Sequence, residues 1–102
     1  MSQVTIIIPA KNEAAGLQHI LPQLRELMPA SEIIVVDDGS TDETADVARR
    51  HGASVYAHKV SLGNGAAVKA GARAATSEIL VFMDADGQHK PADVARLVAR
   101  LE

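Results

Sequence analysis

The stretch that decides the fold is Glu32–Gly52, "EIIVVDDGSTDETADVARRHG". It opens on four consecutive aliphatic β-branched residues, Ile33 to Val36. A strand with one wet face alternates apolar and polar residues, whereas an unbroken apolar run marks a strand covered on both faces, hence a parallel sheet. The run stops at two carboxylates, Asp37 and Asp38, and a turn at Gly39. A helical pattern follows, with Ser40 and Glu43 spaced as a capping box and Gly52 as the C-terminal stop. This is one strand-turn-helix unit with acidic groups at the strand's carboxyl end.

The same unit recurs on either side. "VTIIIP" (Val4–Pro9), "ASVYAH" (Ala53–His58) and "EILVFMD" (Glu78–Asp84) read as further strands, the first and last again continuously apolar. A helix after the first strand places Leu17, Ile20, Leu21, Leu24 and Leu27 on one face, with Pro22 expected to bend or interrupt it. Asn12 is placed to cap that helix. "GAAVKAGARAA" (Gly65–Ala75) reads as a small-residue helix able to approach the sheet closely. "PADVARLVARLE" (Pro91–Glu102) starts with proline at the first helical position and is expected to bury Val94, Leu97, Val98 and Leu101. Four β-α units with short loops predict an open, Rossmann-like α/β fold with a parallel sheet and right-handed crossovers, in a single domain.

Composition narrows the function. The chain has 102 residues, is 47% hydrophobic and carries a formal net charge of −3. That suffices for a core and offers no basic field for nucleic acid. One Tyr and one Phe leave no stacking platform for single strands. Zero cysteines exclude disulfides and thiolate metal sites, and fit a reducing compartment. No apolar run approaches the roughly 18 residues of a membrane span.

In open parallel sheets, ligands bind beyond the carboxyl ends of the strands. Three polar clusters fall there: "PAKNE" (Pro9–Glu13), "DDGS" (Asp37–Ser40) and "DADGQH" (Asp84–His89). Asp84 and Asp86 can converge on one divalent cation, with Gln88 adding an oxygen and His89 a nitrogen. An oxygen-rich, thiol-free set suits Mg²⁺ or Mn²⁺ on a diphosphate. The competing reading is a strand-end turn and helix cap. Asp37 can accept from a base or ribose, and Asp38 can hold a ribose or pair with a cation, unless both serve the turn. Pro9 and Ala10 can offer an edge to a base, and Glu13 can accept from a ribose hydroxyl. "SLGNGAAVKAGAR" (Ser61–Arg73) is neither a dinucleotide fingerprint nor a Walker A loop. Its Lys69 or its helix N-terminus can meet a phosphate, and its glycines can equally serve packing. His19, His51 and His58 read as surface or helix-end residues.

Taken in order, "TIIIPAKNE", "IIVVDDGSTDET", "LGNGAAVKAGARAA" and "ILVFMDADGQHKP" resemble the inverting family 2 glycosyltransferases of the GT-A fold, and within them the dolichyl-phosphate mannosyltransferase-like branch. The resemblance implies strand order 3-2-1-4 and a nucleoside pocket lined by Pro9, Ala10, Asn12 and Glu13. It implies that Asp37 reads the base with Asp38 beside it, and that Lys69 lies near the nucleotide. It also implies a D-x-D pair, Asp84 toward the ribose or sugar with Ala85 between, and Asp86 on Mg²⁺ or Mn²⁺ with Gln88 completing the metal site. The implied reaction moves a sugar from a nucleotide-diphospho-sugar, GDP-mannose or a UDP-sugar, to a polyprenyl phosphate or other acceptor by a metal-assisted inverting displacement.

Family domains extend further, so residues 1–102 correspond to the nucleotide-sugar-binding half, and the catalytic base is expected in the acceptor half. The expected location is cytoplasmic, at the inner face of the membrane for a longer enzyme. An exposed fourth strand is expected to pair with a second copy as a homodimer. Two rival readings are a nucleotide-binding or assembly module without turnover, and a haloacid-dehalogenase-type phosphatase, whose hallmark strand also ends in D-x-D-G.

Overall fold

A computed structural model describes residues 3–101. The strands are β1 (Val4–Ala10), β2 (Glu32–Asp38), β3 (Ser54–His58) and β4 (Ile79–Phe82), and the helices are α1 (Ala14–Leu27), α2 (Thr44–Arg50), α3 (Asn64–Ala74) and α4 (Pro91–Leu101). All pairings are parallel, in the order β3-β2-β1-β4. Strand order and fold class are as expected.

The two central strands, β1 and β2, are the most completely buried. On one face Ile6, Ile8, Ile33 and Val35 pack with Leu17, Ile20, Leu21 and Leu24 of α1, Val47 of α2, and Val94 and Val98 of α4. On the other, Ile34 and Val36 pack on Ala67 of α3. A Cβ on Gly71 would run into the Ile7 side chain, so α3 lies directly on the sheet as its small residues predict. This helix covers β1 and β2 and leaves β4 uncovered: Phe82 is 44% exposed. The continuous apolar run of the fourth strand therefore does not mean burial on both faces.

Other local expectations change. Leu27, Leu97 and Leu101 are exposed: Leu27 and Leu101 are the last residues of α1 and α4, and Leu97 lies beside the line of Val94 and Val98 that packs into the core. The expected end of the last helix at Glu102 lies outside the described residues. Helix α1 is not interrupted by Pro22: this proline and Gln18, whose carbonyl it leaves unbonded, are both exposed, so water can satisfy the lost partner. Ser40 and Glu43 do not form a capping box, since α2 begins four residues after Ser40. Asp42 takes the capping role: its Oδ1 accepts from the Thr44 amide at 2.9 Å and from the Thr44 hydroxyl. Its Oδ2 accepts from the Ala14 amide at 3.3 Å, so one carboxylate serves the first turns of two helices.

Candidate functional site

Register brings the polar strand ends together. Ala10 aligns with Asp37, and Asp38 with His58. The Met83 amide still donates to the Ile7 carbonyl at 3.0 Å, so Asp84 leaves the sheet beside the end of β1. Between these ends lies a cleft of about 370 Å³ lined by Pro9, Ala10, Lys11, Glu13, Asp38, Ser61, Gly63, Asn64, Ala67, Asp84, Ala85 and Asp86. Six of the expected nucleotide residues (Pro9, Ala10, Glu13, Asp38, Asp84 and Ala85) and the D-x-D partner Asp86 thus share one cavity.

Others lie elsewhere. Asn12 is exposed, has φ +54° and does not cap α1. Its amide donates to Ser40 Oγ at 2.8 Å, and its Oδ1 accepts from the Thr41 amide at 2.8 Å. It staples the loop after β1 to the loop after β2, while the Glu13 amide donates to Thr44 Oγ1 at 3.0 Å. Asp37 is buried outside the cleft lining and accepts from the Ser40 amide at 3.0 Å, a turn role that Asp and Gly39 (φ +76°) make possible. Lys69 is exposed on α3 and off the cleft; Ala67, two residues earlier, faces in, and two residues turn a helix about 200°. The cation that lines the cleft is Lys11, inside "PAKNE", which sequence reasoning passed over.

The D-x-D turn has its own internal order. Asp86 Oδ1 accepts from the Gln88 amide at 3.0 Å. The Gln88 side chain is exposed and outside the lining. The Asp84 amide donates to His89 Nδ1 at 3.0 Å, which puts the ring proton on Nε2 and leaves Nδ1 occupied. His89 is thus a turn residue here. Among the described residues no group of three or more His, Cys, Asp or Glu side chains could enclose a metal. Asp84 and Asp86 nevertheless fit Mg²⁺ or Mn²⁺: both line the cleft and supply oxygen, and these ions are commonly held by one or two carboxylates plus substrate phosphates rather than by an all-protein cage.

Two positions missed from sequence shape the cleft. Gly16, in the first turn of α1, lies so close to the Ala85 carbonyl that a Cβ would collide with it, so α1 fixes the height of the D-x-D turn. His58 is half-buried, with Nδ1 2.9 Å from Asp38 Oδ1. Asp38 also accepts from Ser61 Oγ (2.9 Å) and the amides of Leu62 (2.8 Å) and Gly63 (2.9 Å). Burial pushes its pKa up, but the Leu62 amide, His58, Ser61 and the Gly63 amide outweigh that and hold the carboxyl well below the usual carboxylate range. Its lone pairs are spent on three donors of the loop and on His58, leaving none free for a ribose.

A cleft at the carboxyl rim of an open parallel sheet is where α/β proteins of this class bind their ligands, and here paired carboxylates stand at one end of it. The chain belongs to glycosyl transferase family 2, whose sequence model matches residues 5–102. It is 43% identical over 100 residues to an uncharacterized glycosyltransferase of Mycobacterium tuberculosis, covering 97% of this chain and 44% of that protein. It is 36% identical over 107 residues to the undecaprenyl-phosphate 4-deoxy-4-formamido-L-arabinose transferase of Pseudomonas aeruginosa, covering 95% and 32%. Among solved structures, glucosyl-3-phosphoglycerate synthase of M. tuberculosis, in complex with Mn²⁺, UDP and glucosyl-3-phosphoglycerate, superposes with a TM-score of 0.83 at 31% identity, covering 98% and 39%. The chain thus spans less than half the length of these relatives. The phosphatase reading is set aside: its motif ends a first strand, whereas here "DADG" follows β4, and the family match runs through it.

Proposed function

We propose that this chain is the donor-binding half of a glycosyltransferase that moves a sugar from a nucleoside-diphospho-sugar to a polyprenyl phosphate. The observation that carries the reading is the shared cleft: the end of β1 (Pro9, Ala10, Glu13) and the D-x-D turn (Asp84, Asp86) line one cavity sized for a nucleotide. Pro9 and Ala10 form the floor for the base, and Glu13 is the ribose acceptor. Asp84 and Asp86 would hold Mg²⁺ or Mn²⁺, which neutralises the diphosphate and makes it a better leaving group. Lys11, the cleft's one cation among the described residues, adds to that neutralisation.

The chemistry is a single displacement. An acceptor phosphate oxygen bonds to the anomeric carbon as the bond to the diphosphate oxygen breaks, and the nucleoside diphosphate leaves with the electron pair. Attack in line with departure inverts the anomeric centre. This chain's share is to bind and orient the donor so that the breaking bond points out of the cleft. The polyprenyl phosphate acceptor is supported by the named activity of the Pseudomonas relative, and the Mn²⁺ and nucleotide by the complex of the structural neighbour.

Calorimetric titration with UDP-glucose and GDP-mannose, each with and without Mn²⁺, tests the reading. One donor should bind, only with Mn²⁺, and Asp86→Ala should weaken it by about tenfold or more. Metal-independent affinity, or full affinity in Asp86→Ala, overturns the site. Binding without nucleoside diphosphate release on adding polyprenyl phosphate is the outcome expected of a donor-binding half; release would show that residues 1–102 also carry an acceptor site.

A further inference from the structure

The segment Lys59–Gly63 has neither helix nor strand, yet it supplies Ser61 and Gly63 to the cleft and leads into Asn64. Two features hold it. Gly39 lies against it so closely that a Cβ would stand 2.6 Å from the Ser61 nitrogen and 2.9 Å from the Val60 carbonyl carbon. Asp38 gathers three donors from it: the Ser61 hydroxyl and the Leu62 and Gly63 amides. The fourth bond to that carboxylate comes from outside the segment, from His58, the last residue of β3 and the register partner of Asp38. An ionised carboxylate only accepts, so His58 Nδ1 carries the proton and donates. His58 itself does not line the cleft.

We propose that His58 is a positioning residue of the donor cleft. Its Nδ1–H orients the Asp38 carboxylate so that both oxygens draw in the 59–63 segment, and this sets the cleft wall formed by Ser61, Gly63 and Asn64. The bond is made on the sheet, by two residues at the ends of adjacent strands, so its geometry is inherited from the rigid part of the fold. The donor's role in the cleft rests on the function proposed above; the ordering of the segment does not.

The test uses the 102-residue chain and three variants. His58→Leu keeps volume without a donor, His58→Ala removes both, and His58→Asn places an amide nitrogen near the position of Nδ1. Site-resolved amide exchange is followed at Leu62 and Gly63, and UDP affinity is measured with Mn²⁺. In His58→Leu and His58→Ala, exchange at these two amides should rise about tenfold or more and UDP should bind about tenfold more weakly, as for a lost bond to a charged group. His58→Asn should restore both to within about threefold.

Unchanged exchange in His58→Leu overturns the proposal. So does faster exchange spread evenly over β2 and β3 with no rescue by Asn, the mark of a merely structural residue. A loosened segment with undiminished UDP affinity overturns the positioning role as well. If the unaltered chain binds GDP and not UDP with Mn²⁺, GDP takes the place of UDP in every arm; if it binds neither, the proposed function falls instead, and exchange at Leu62 and Gly63 alone decides the segment's ordering.

Discussion

Asp84 and Asp86 are easy to place at the cleft from sequence, because paired carboxylates directly after an apolar strand fall at the carboxyl rim of the sheet. Gly16 and His58 are not, because their meaning lies in what they touch: a carbonyl at position 85 and a carboxylate twenty residues away. Gly16 is therefore a sharp probe of the site. Adding one methyl forces α1 and the D-x-D turn apart. Gly16→Ala should cost about 1–3 kcal/mol in urea unfolding, as other overpacked sites do, and should weaken Mn²⁺-dependent nucleotide binding beyond any effect on the fold.

Asp38 gives a second residue-scale outcome. Its folded pKa lies below the unfolded value of about 3.9, so its stabilisation is present above that pH and lost as pH falls through it toward the folded value. Asp38→Asn should flatten the acid limb of stability below about pH 4. At neutral pH it should destabilise, since an amide offers one acceptor oxygen where four donors converge. Urea midpoints across pH check both, and an unchanged acid limb would count against the carboxylate's role.

At the scale of elements, the strands were legible to within two residues and the start of α4 at Pro91 was legible too, but the starts of α1 and α2 were not. Ser40 and Glu43 have capping-box spacing, but Ser40 is claimed by the Asn12 amide across the rim, and the helix waits for Asp42 and Thr44. Asn12 likewise reads as a cap and instead bridges two loops. The loops at the carboxyl rim are tied to each other before they are tied to their own helices, and single-helix rules cannot anticipate that. Asp42 is the clearest case, since it serves α1 and α2 together. Asp42→Ala should cost about 1–2 kcal/mol, the upper part of the usual range for a cap. Hydrogen exchange should rise in the first turns of both helices; a rise confined to α2 would show that the link to α1 carries no energy.

For the whole molecule, the sheet is covered unequally. Three helices pack on one face, while α3 alone lies on the other, across β1 and β2. The order β3-β2-β1-β4 therefore leaves β4 with an unpaired backbone edge and an open flank on the α3 side, where Phe82 is exposed and Leu80 half-buried. The sequence showed the strand and its apolar run, but how far one helix reaches across a sheet is fixed only by packing. The opposite edge, β3, is blunted by His58 and followed by Lys59, so β4 is the edge with the stronger drive to pair. The 102-residue chain should self-associate through β4 at high concentration. Sedimentation equilibrium should give a mass above that of a monomer, and Phe82→Lys should return it to monomer, since a charge there removes apolar area and repels its copy across the pairing axis. Nucleotide binding should be unchanged in that variant, because Phe82 lies outside the cleft lining. A monomer mass for the unaltered chain would show that the open edge is too short, at four residues, to hold a second copy.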